Sequence, residues 1–236
     1  SSTEGLTFTG CGGYIRGPPQ TAGIAVIQEP PMTDYKLTYF DIDGGRGEPV
    51  RIAFHAAGVE FDDHRISFQE FMQARGNMPF TCAPVLDIDG VPVTQSNAML
   101  RYAGKLAGLY PEDSLQALYC DETMDAIEDL LHHIVRTLML EGDALKAARD
   151  ELREGWLTTF IKGYDRLLER GGGRYFADNR LTVADLKVFV QVRSLRTGGL
   201  EHVPASFVDE LAPALAAHAD RIAVEPVVKA YYDSRA

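Results

Sequence analysis

Residues 85–93 restrict the possible folds more than any other stretch of the chain. Val85–Ile88 and Val91–Val93 are short apolar runs joined by Asp89-Gly90. Asp-Gly suits the type I′ turn, whose twist matches that of two antiparallel strands. A chain that turns here builds a sheet around this hairpin. Pro92 lacks the N–H that a central strand needs, so Val91–Val93 is expected at the sheet edge. Upstream, Tyr35–Phe40 (YKLTYF) reads as a strand with Leu37 and Tyr39 on one face, and Phe61–Ser67 reads as a second. Between them Val50, Ala53, Phe54 and Ala57 fall at i, i+3, i+4 and i+7. That is one helical stripe, opened by Pro49 and stopped by Gly58. After the hairpin, Ser96 is expected to cap a helix that carries Met99, Tyr102, Ala103 and Leu106.

From Pro111 onward the pattern is helical. Ile127, Leu131, Ile134 and Leu138 follow a helical period, in a helix read over 119–140 whose first half is crowded with acids (Asp121, Glu122, Asp125, Glu128, Asp129). A second helix runs through Leu152, Trp156, Phe160 and Leu167 and ends near Gly171-Gly172-Gly173. Thr182-Val183-Ala184-Asp185 is a capping box with Asp in place of Glu or Gln, opening a helix through Leu186 and Val190. Weaker helices are expected near 206–220 and 225–233. The expected fold class is therefore α/β plus all-α. Residues 34–109 have the order β-α-β, irregular joint, β-β-α, which matches a thioredoxin-like domain, and Ala83-Pro84 stands where that fold carries a cis-proline. Residues 114–236 form an all-helical domain. Residues 1–31 hold Gly5, Gly10, Gly12, Gly13, Gly17 and Gly23 with Pro18, Pro19, Pro30 and Pro31, and show no helical period. They read as a leader or appended extension without chemistry.

Composition removes several function classes. The chain has 23 Lys+Arg against 34 Asp+Glu, a net charge of −11, whereas a nucleic-acid binder needs a cationic face. No apolar run reaches the roughly 20 residues that cross a bilayer. Cys11, Cys82 and Cys120 form neither a disulfide framework nor a CxxC pair, so a reducing, cytoplasmic setting is expected. His132 and His133 are helical neighbours pointing about 100° apart, so they cannot share one metal ion. Gly44-Gly45-Arg46-Gly47 lacks the G-x-G-x-x-G of a dinucleotide site. No metal and no nucleotide are expected.

The functional residues form an ordered set: Tyr39-Phe40 at a strand end, Arg46-Gly47-Glu48-Pro49 at a helix start, Met78-Pro79-Phe80 with Ala83-Pro84-Val85-Leu86, and Gln95-Ser96 with Arg101-Tyr102. In order and spacing the set resembles the cytosolic glutathione transferases, and YKLTYFDIDGGRGEPVRIAF resembles their sigma class, which includes haematopoietic-type prostaglandin D synthases. The resemblance covers residues 34–235. It implies that Tyr39 donates a hydrogen bond to the sulfur of glutathione, and that Arg46 supports the thiolate. By the same resemblance, Gln95 and Ser96 hold the γ-glutamyl carboxylate. Cys82, Ala83 and Pro84 present backbone groups to the cysteinyl part of glutathione, the co-substrate. Asp125, with Asp121 and Asp129 as close rivals, would reach the γ-glutamyl ammonium bound to a neighbouring subunit of a homodimer. Phe71 and Arg75 stand where sigma relatives carry Trp and Lys for the glycyl end, and Cys82 where relatives often carry Gln or Lys. The loop Asp41–Gly45 is one residue longer than in close sigma relatives.

A small hydrophobic electrophile would enter a cleft lined by Phe40 and the C-terminal half of the 119–140 helix. The activity implied is detoxifying conjugation, or isomerisation of a lipid peroxide. The rival readings are a non-catalytic glutathione- or ligand-binding protein of the same fold and an interaction module; retention of Tyr39, Arg46, Gln95 and Ser96 favours the enzyme.

Overall fold

The computed structural model describes residues 33–235; the extension expected at 1–31 lies outside the described residues. A four-stranded sheet, ordered β2-β1-β3-β4, forms one half. Its strands are β1 (Tyr35–Phe40), β2 (Asp62–Ile66), β3 (Val85–Ile88) and β4 (Val91–Val93). β1 runs parallel to β2 and antiparallel to β3. The hairpin forms as expected: Asp89 and Gly90 both have positive φ (51° and 84°), the type I′ signature. Pro92 lies on the edge strand β4, opposite Asp87. The Ala83–Pro84 peptide bond is cis.

The first helix, α1 (Glu48–Ala57), has Pro49 in its first turn and ends at Gly58 in a left-handed conformation, φ 65°. Its buried stripe of Val50, Ala53 and Phe54 faces the sheet core. The region read only as an irregular joint contains a helix, α2 (Phe68–Ala74), closed by a reciprocal Ser67–Glu70 capping box. α3 (Ser96–Leu106) follows the hairpin. Here the expected cap is corrected. Gln95 is the N-cap, with φ 74° and no side-chain cap bond, and the Ser96 hydroxyl donates instead to Glu128 at 2.8 Å. A charged acceptor across the fold binds a hydroxyl more strongly than its own backbone does.

The helical half comprises α4 (Ser114–Val135), α5 (Gly142–Leu152), α6 (Thr158–Arg170), α7 (Val183–Arg196), α8 (Phe207–Leu211), α9 (Pro213–Ala223) and α10 (Pro226–Asp233). α4 begins five residues before the span read from sequence, because Asp113 caps it by accepting from the N–H groups of Leu115 and Gln116, and it ends at Val135, five residues before the end of that span. The second helix is α5 and α6 joined by one π-helical turn over Arg153–Leu157, which turns Trp156 outward. α7 is buried on nearly every side and starts with the expected Thr182–Asp185 box. It packs against α1, α3, α4 and α9, so sheet half and helical half share one continuous core.

Candidate active site

Tyr39 occupies the end of β1, and the loop Asp41–Gly47 folds back over its ring. Two glycines permit that approach. A Cβ on Gly45 would lie 2.5 Å from the Tyr39 hydroxyl, and one on Gly47 would lie 2.5 Å from ring atom Cδ1. The loop is anchored from below by Arg51, a fully buried guanidinium that donates to Asp63 (2.8 Å), to Glu48 (3.2 Å) and to the carbonyl of Ile42 (3.2 Å). From outside, Arg235 donates to Asp43 at 2.6 Å.

The outcome is a fixed donor on the phenol: the backbone N–H of Arg46 donates to Tyr39 Oη at 3.0 Å. Burial pushes the Tyr39 hydroxyl above the ordinary tyrosine range, against the pull of that N–H and of the Arg46 guanidinium. The phenol is therefore neutral at physiological pH and keeps its proton to donate. A hydroxyl that accepts one hydrogen bond becomes a better donor for the next.

Two adjoining cavities meet at Arg46. The first, about 340 Å³, gathers Arg46, Cys82, Ala83, Pro84, Gln95 and Ser96, together with Glu128 and His132 of α4. The second, about 520 Å³, gathers Tyr39, Phe71 and Arg75 with an apolar wall of Phe40, Phe68, Leu131, Ile134, Val135, Leu138 and Met139. Phe40, Phe68 and Phe71 form an aromatic cluster with centroids 5.2–6.4 Å apart, and the Arg75 guanidinium lies 5.6 Å from the Phe71 ring centre. The expected apolar cleft is thus present, with the wall from α4 extended by the turn that follows it.

Before the cis-proline, Phe80 and Thr81 are both left-handed (φ 54° and 51°), which delivers Cys82 in an extended conformation alongside the cavity. At the start of α3 the strained Gln95 leaves the first backbone N–H groups without a side-chain cap, the arrangement that suits an anion.

Nine of the ten expected site residues line these two cavities. Asp125 does not. It accepts from Asn97 (2.6 Å) and from Arg101 (3.4 Å) on its own chain, and its rival Asp121 accepts from Arg101 at 2.7 Å. Sequence reading passed over Glu128 and Lys187. Glu128 accepts from Arg46 Nε at 2.6 Å, from Ser96, and from the buried Lys187. Burial raises its carboxyl, but Lys187 and Arg46 outweigh this and bring it down to about 2. A signal was available: Lys187 interrupts the apolar run Leu186–Val190, and a lysine buried in such a run needs a carboxylate partner.

Residues 35–105 match the family model for the glutathione S-transferase N-terminal domain, and residues 128–235 match that for the C-terminal domain. Glutathione S-transferase 3 of Caenorhabditis elegans is 34% identical over 162 residues, 66% of this chain and 78% of that protein. Hematopoietic prostaglandin D synthase of Gallus gallus is 28% identical over 204 residues, 86% of this chain and 98% of that protein. Among solved structures, prostaglandin synthase D of Nilaparvata lugens superposes with a TM-score of 0.76 at 27% identity, covering 86% of this chain and 98% of that one.

Proposed function

The chain belongs to the glutathione S-transferase family, and from that premise we propose that Tyr39 activates the thiol of glutathione for attack on a hydrophobic electrophile. A free thiol has a pKa near 8.5 and is mostly protonated at neutral pH. A hydrogen bond donated to the charged form is worth about 1.5–3 kcal/mol, which lowers that pKa by about 1–2 units. The single observation that carries the assignment is the relay from the Arg46 N–H to a buried phenol that retains its own proton. The nucleophilic sulfur belongs to the co-substrate, so no cysteine of the chain is required for chemistry.

The other roles follow from the same two cavities. Gln95, Ser96 and the uncapped start of α3 receive the γ-glutamyl carboxylate. Cys82, Ala83 and Pro84 pair through backbone groups with the cysteinyl part, much as a strand adds to an edge. Arg75 takes the glycyl carboxylate with its planar fork, beside Phe71. Arg46 adds positive charge near the sulfur. The aromatic and aliphatic cavity takes the second substrate, and the reaction is conjugation or glutathione-dependent isomerisation, of the sigma type. The relatives named hematopoietic prostaglandin D synthase and prostaglandin synthase D support the isomerisation reading.

The enzyme is further proposed to be a cytoplasmic homodimer acting in detoxification. Exposed apolar side chains on β4, α3 and the start of α4 (Val91, Leu106, Leu118) support a partner surface there. In that dimer Asp125 is assigned to the γ-glutamyl ammonium of the neighbouring site. Free Cys82 and Cys120 fit a reducing compartment.

The test is a titration of bound glutathione, following thiolate absorbance against pH. The thiol should ionise well below its free value in the parent, and Tyr39→Phe should return it toward that value. A parent protein whose bound thiol titrates as it does in water would refute the assignment.

A further inference from the structure

Glu128 is a carboxylate set beside the one guanidinium that the proposed chemistry needs as a cation. Left at that, the two charges would cancel, and Arg46 would offer the sulfur little. The rest of the cluster resolves the conflict. Lys187, on α7 and almost wholly buried, donates both to Glu128 and to the side-chain carbonyl of Asn97. Ser96 donates to Glu128 from α3, and Asn97 passes the chain on to Asp125. The groups in direct charge contact are thus two cations, Arg46 and Lys187, and one anion, Glu128. Asp125 is one hydrogen bond further out and is itself held by Arg101. His132 lies on the same cavity wall.

The geometry at Arg46 is specific. Glu128 takes the Nε of the guanidinium, and the backbone N–H is spent on Tyr39. The two terminal Nη groups carry no hydrogen bond among the described residues, and Arg46 lines both cavities. Binding through Nε fixes the direction of a guanidinium while leaving its planar fork free.

Resting on the reading of the site given above, we infer that Glu128 is a positioning residue that aims the fork of Arg46 at the sulfur, and that Lys187 offsets the charge Glu128 brings. The net cation presented to the thiolate is then undiminished, and the arginine does not have to be ordered when glutathione binds. Side-chain ordering is a recurrent cost of binding, and a long arginine carries a large share of it. The buried lysine thereby has a function beyond satisfying the core.

Coulomb's law and positioning predict different signs, which makes the inference testable. In Glu128→Ala a purely electrostatic role lowers the bound thiol pKa, because an anion near the thiolate is gone. Positioning raises it, because Arg46 swings free. The paired variant Glu128→Ala/Lys187→Met removes one charge of each sign and leaves no buried ion unpaired, so it remains foldable where the single variant strands Lys187.

The measurement is the thiolate titration of bound glutathione for the parent, the paired variant and Tyr39→Phe. The paired variant is expected to raise the thiol pKa by about one unit, a tenfold loss in the ionisation constant. An unchanged pKa in the paired variant, with Tyr39→Phe still shifting it, overturns the positioning role and leaves the proposed function standing. If Tyr39→Phe also shifts nothing, the assignment of the site fails and the inference falls with it.

Discussion

The loop over Tyr39 makes a prediction that does not touch any functional group. Gly45→Ala adds one methyl, 2.5 Å from Tyr39 Oη and 3.3 Å from ring atoms Cε1 and Cζ. Ordinary contact between heavy atoms begins near about 3.5 Å, so ring or loop must shift by about 1 Å. The hydrogen bond from the Arg46 N–H is 3.0 Å long, and opening it by that distance takes it out of range. Its loss costs about 1 kcal/mol of stability. The left-handed backbone at Gly45, φ 63°, costs an alanine about 1–2 kcal/mol more. The phenol also loses the donor that polarises it, about 10–30% of its bond to the thiolate, so the bound thiol pKa should rise by up to about 0.7 unit.

Gly44→Ala is the neighbouring control, since a Cβ there meets nothing within 4 Å. Thermal unfolding and the thiolate titration, run on both variants, read stability and activation separately. If Gly45→Ala keeps the parent's thiol pKa while losing stability, the Arg46 N–H does not set the strength of the phenol, and the relay is wrong.

Two further predictions concern charge. The carboxyl of Glu128 lies at about 2 when folded, against an ordinary 4.5. Its contribution is therefore complete above pH 4.5 and is lost as pH falls toward 2. That gap corresponds to about 3 kcal/mol, from which the burial cost of Lys187 subtracts. Urea midpoints measured from pH 6 to pH 3 should fall more steeply for the parent than for Glu128→Ala/Lys187→Met, and equal slopes would contradict the charge assignment. The proposed dimer should sediment at twice the chain mass, and Asp125→Asn should weaken glutathione binding up to about fivefold. A monomer with unchanged binding in Asp125→Asn would remove both proposals.

Legibility in the sequence tracked the range of the interaction that decides each feature. The hairpin at 85–93, the α1 stripe and the Thr182–Asp185 box are settled by neighbours within four residues, and all three form as expected. The same local rule could have found α2, because Ser67-Phe68-Gln69-Glu70 is a capping-box pattern that forms in full. Ser96 shows the opposite case. By residue type it is a cap, yet its hydroxyl goes to a carboxylate 32 positions away, and no local pattern contains that acceptor. The line-up of Tyr39, Arg46, Cys82–Pro84 and Gln95 around the cavities was readable because their order along the chain resembles a known family. Glu128 was not, since an acid among acids on a helix reads as part of a solvated face.

The position of Glu128 on α4 also links activation to substrate choice. Glu128, Leu131 and Val135 stand at i, i+3 and i+7, which puts them on one helical face. The first grips Arg46 and the other two line the apolar cavity. α4 is held to α6 by the Tyr164 hydroxyl donating to the carbonyl of Ala126 at 2.9 Å, two residues before Glu128, and to α7 through Lys187. A bulkier side chain at Leu131 or Val135 can be accommodated in two ways. It can fill the cavity, or it can push α4 away from the loop that carries Arg46. Because α4 is pinned at Ala126 and Glu128, the first way is the cheaper one. The wall can then vary with the electrophile it must fit while the distance from Glu128 to Arg46, and with it the direction of the guanidinium, stays the same.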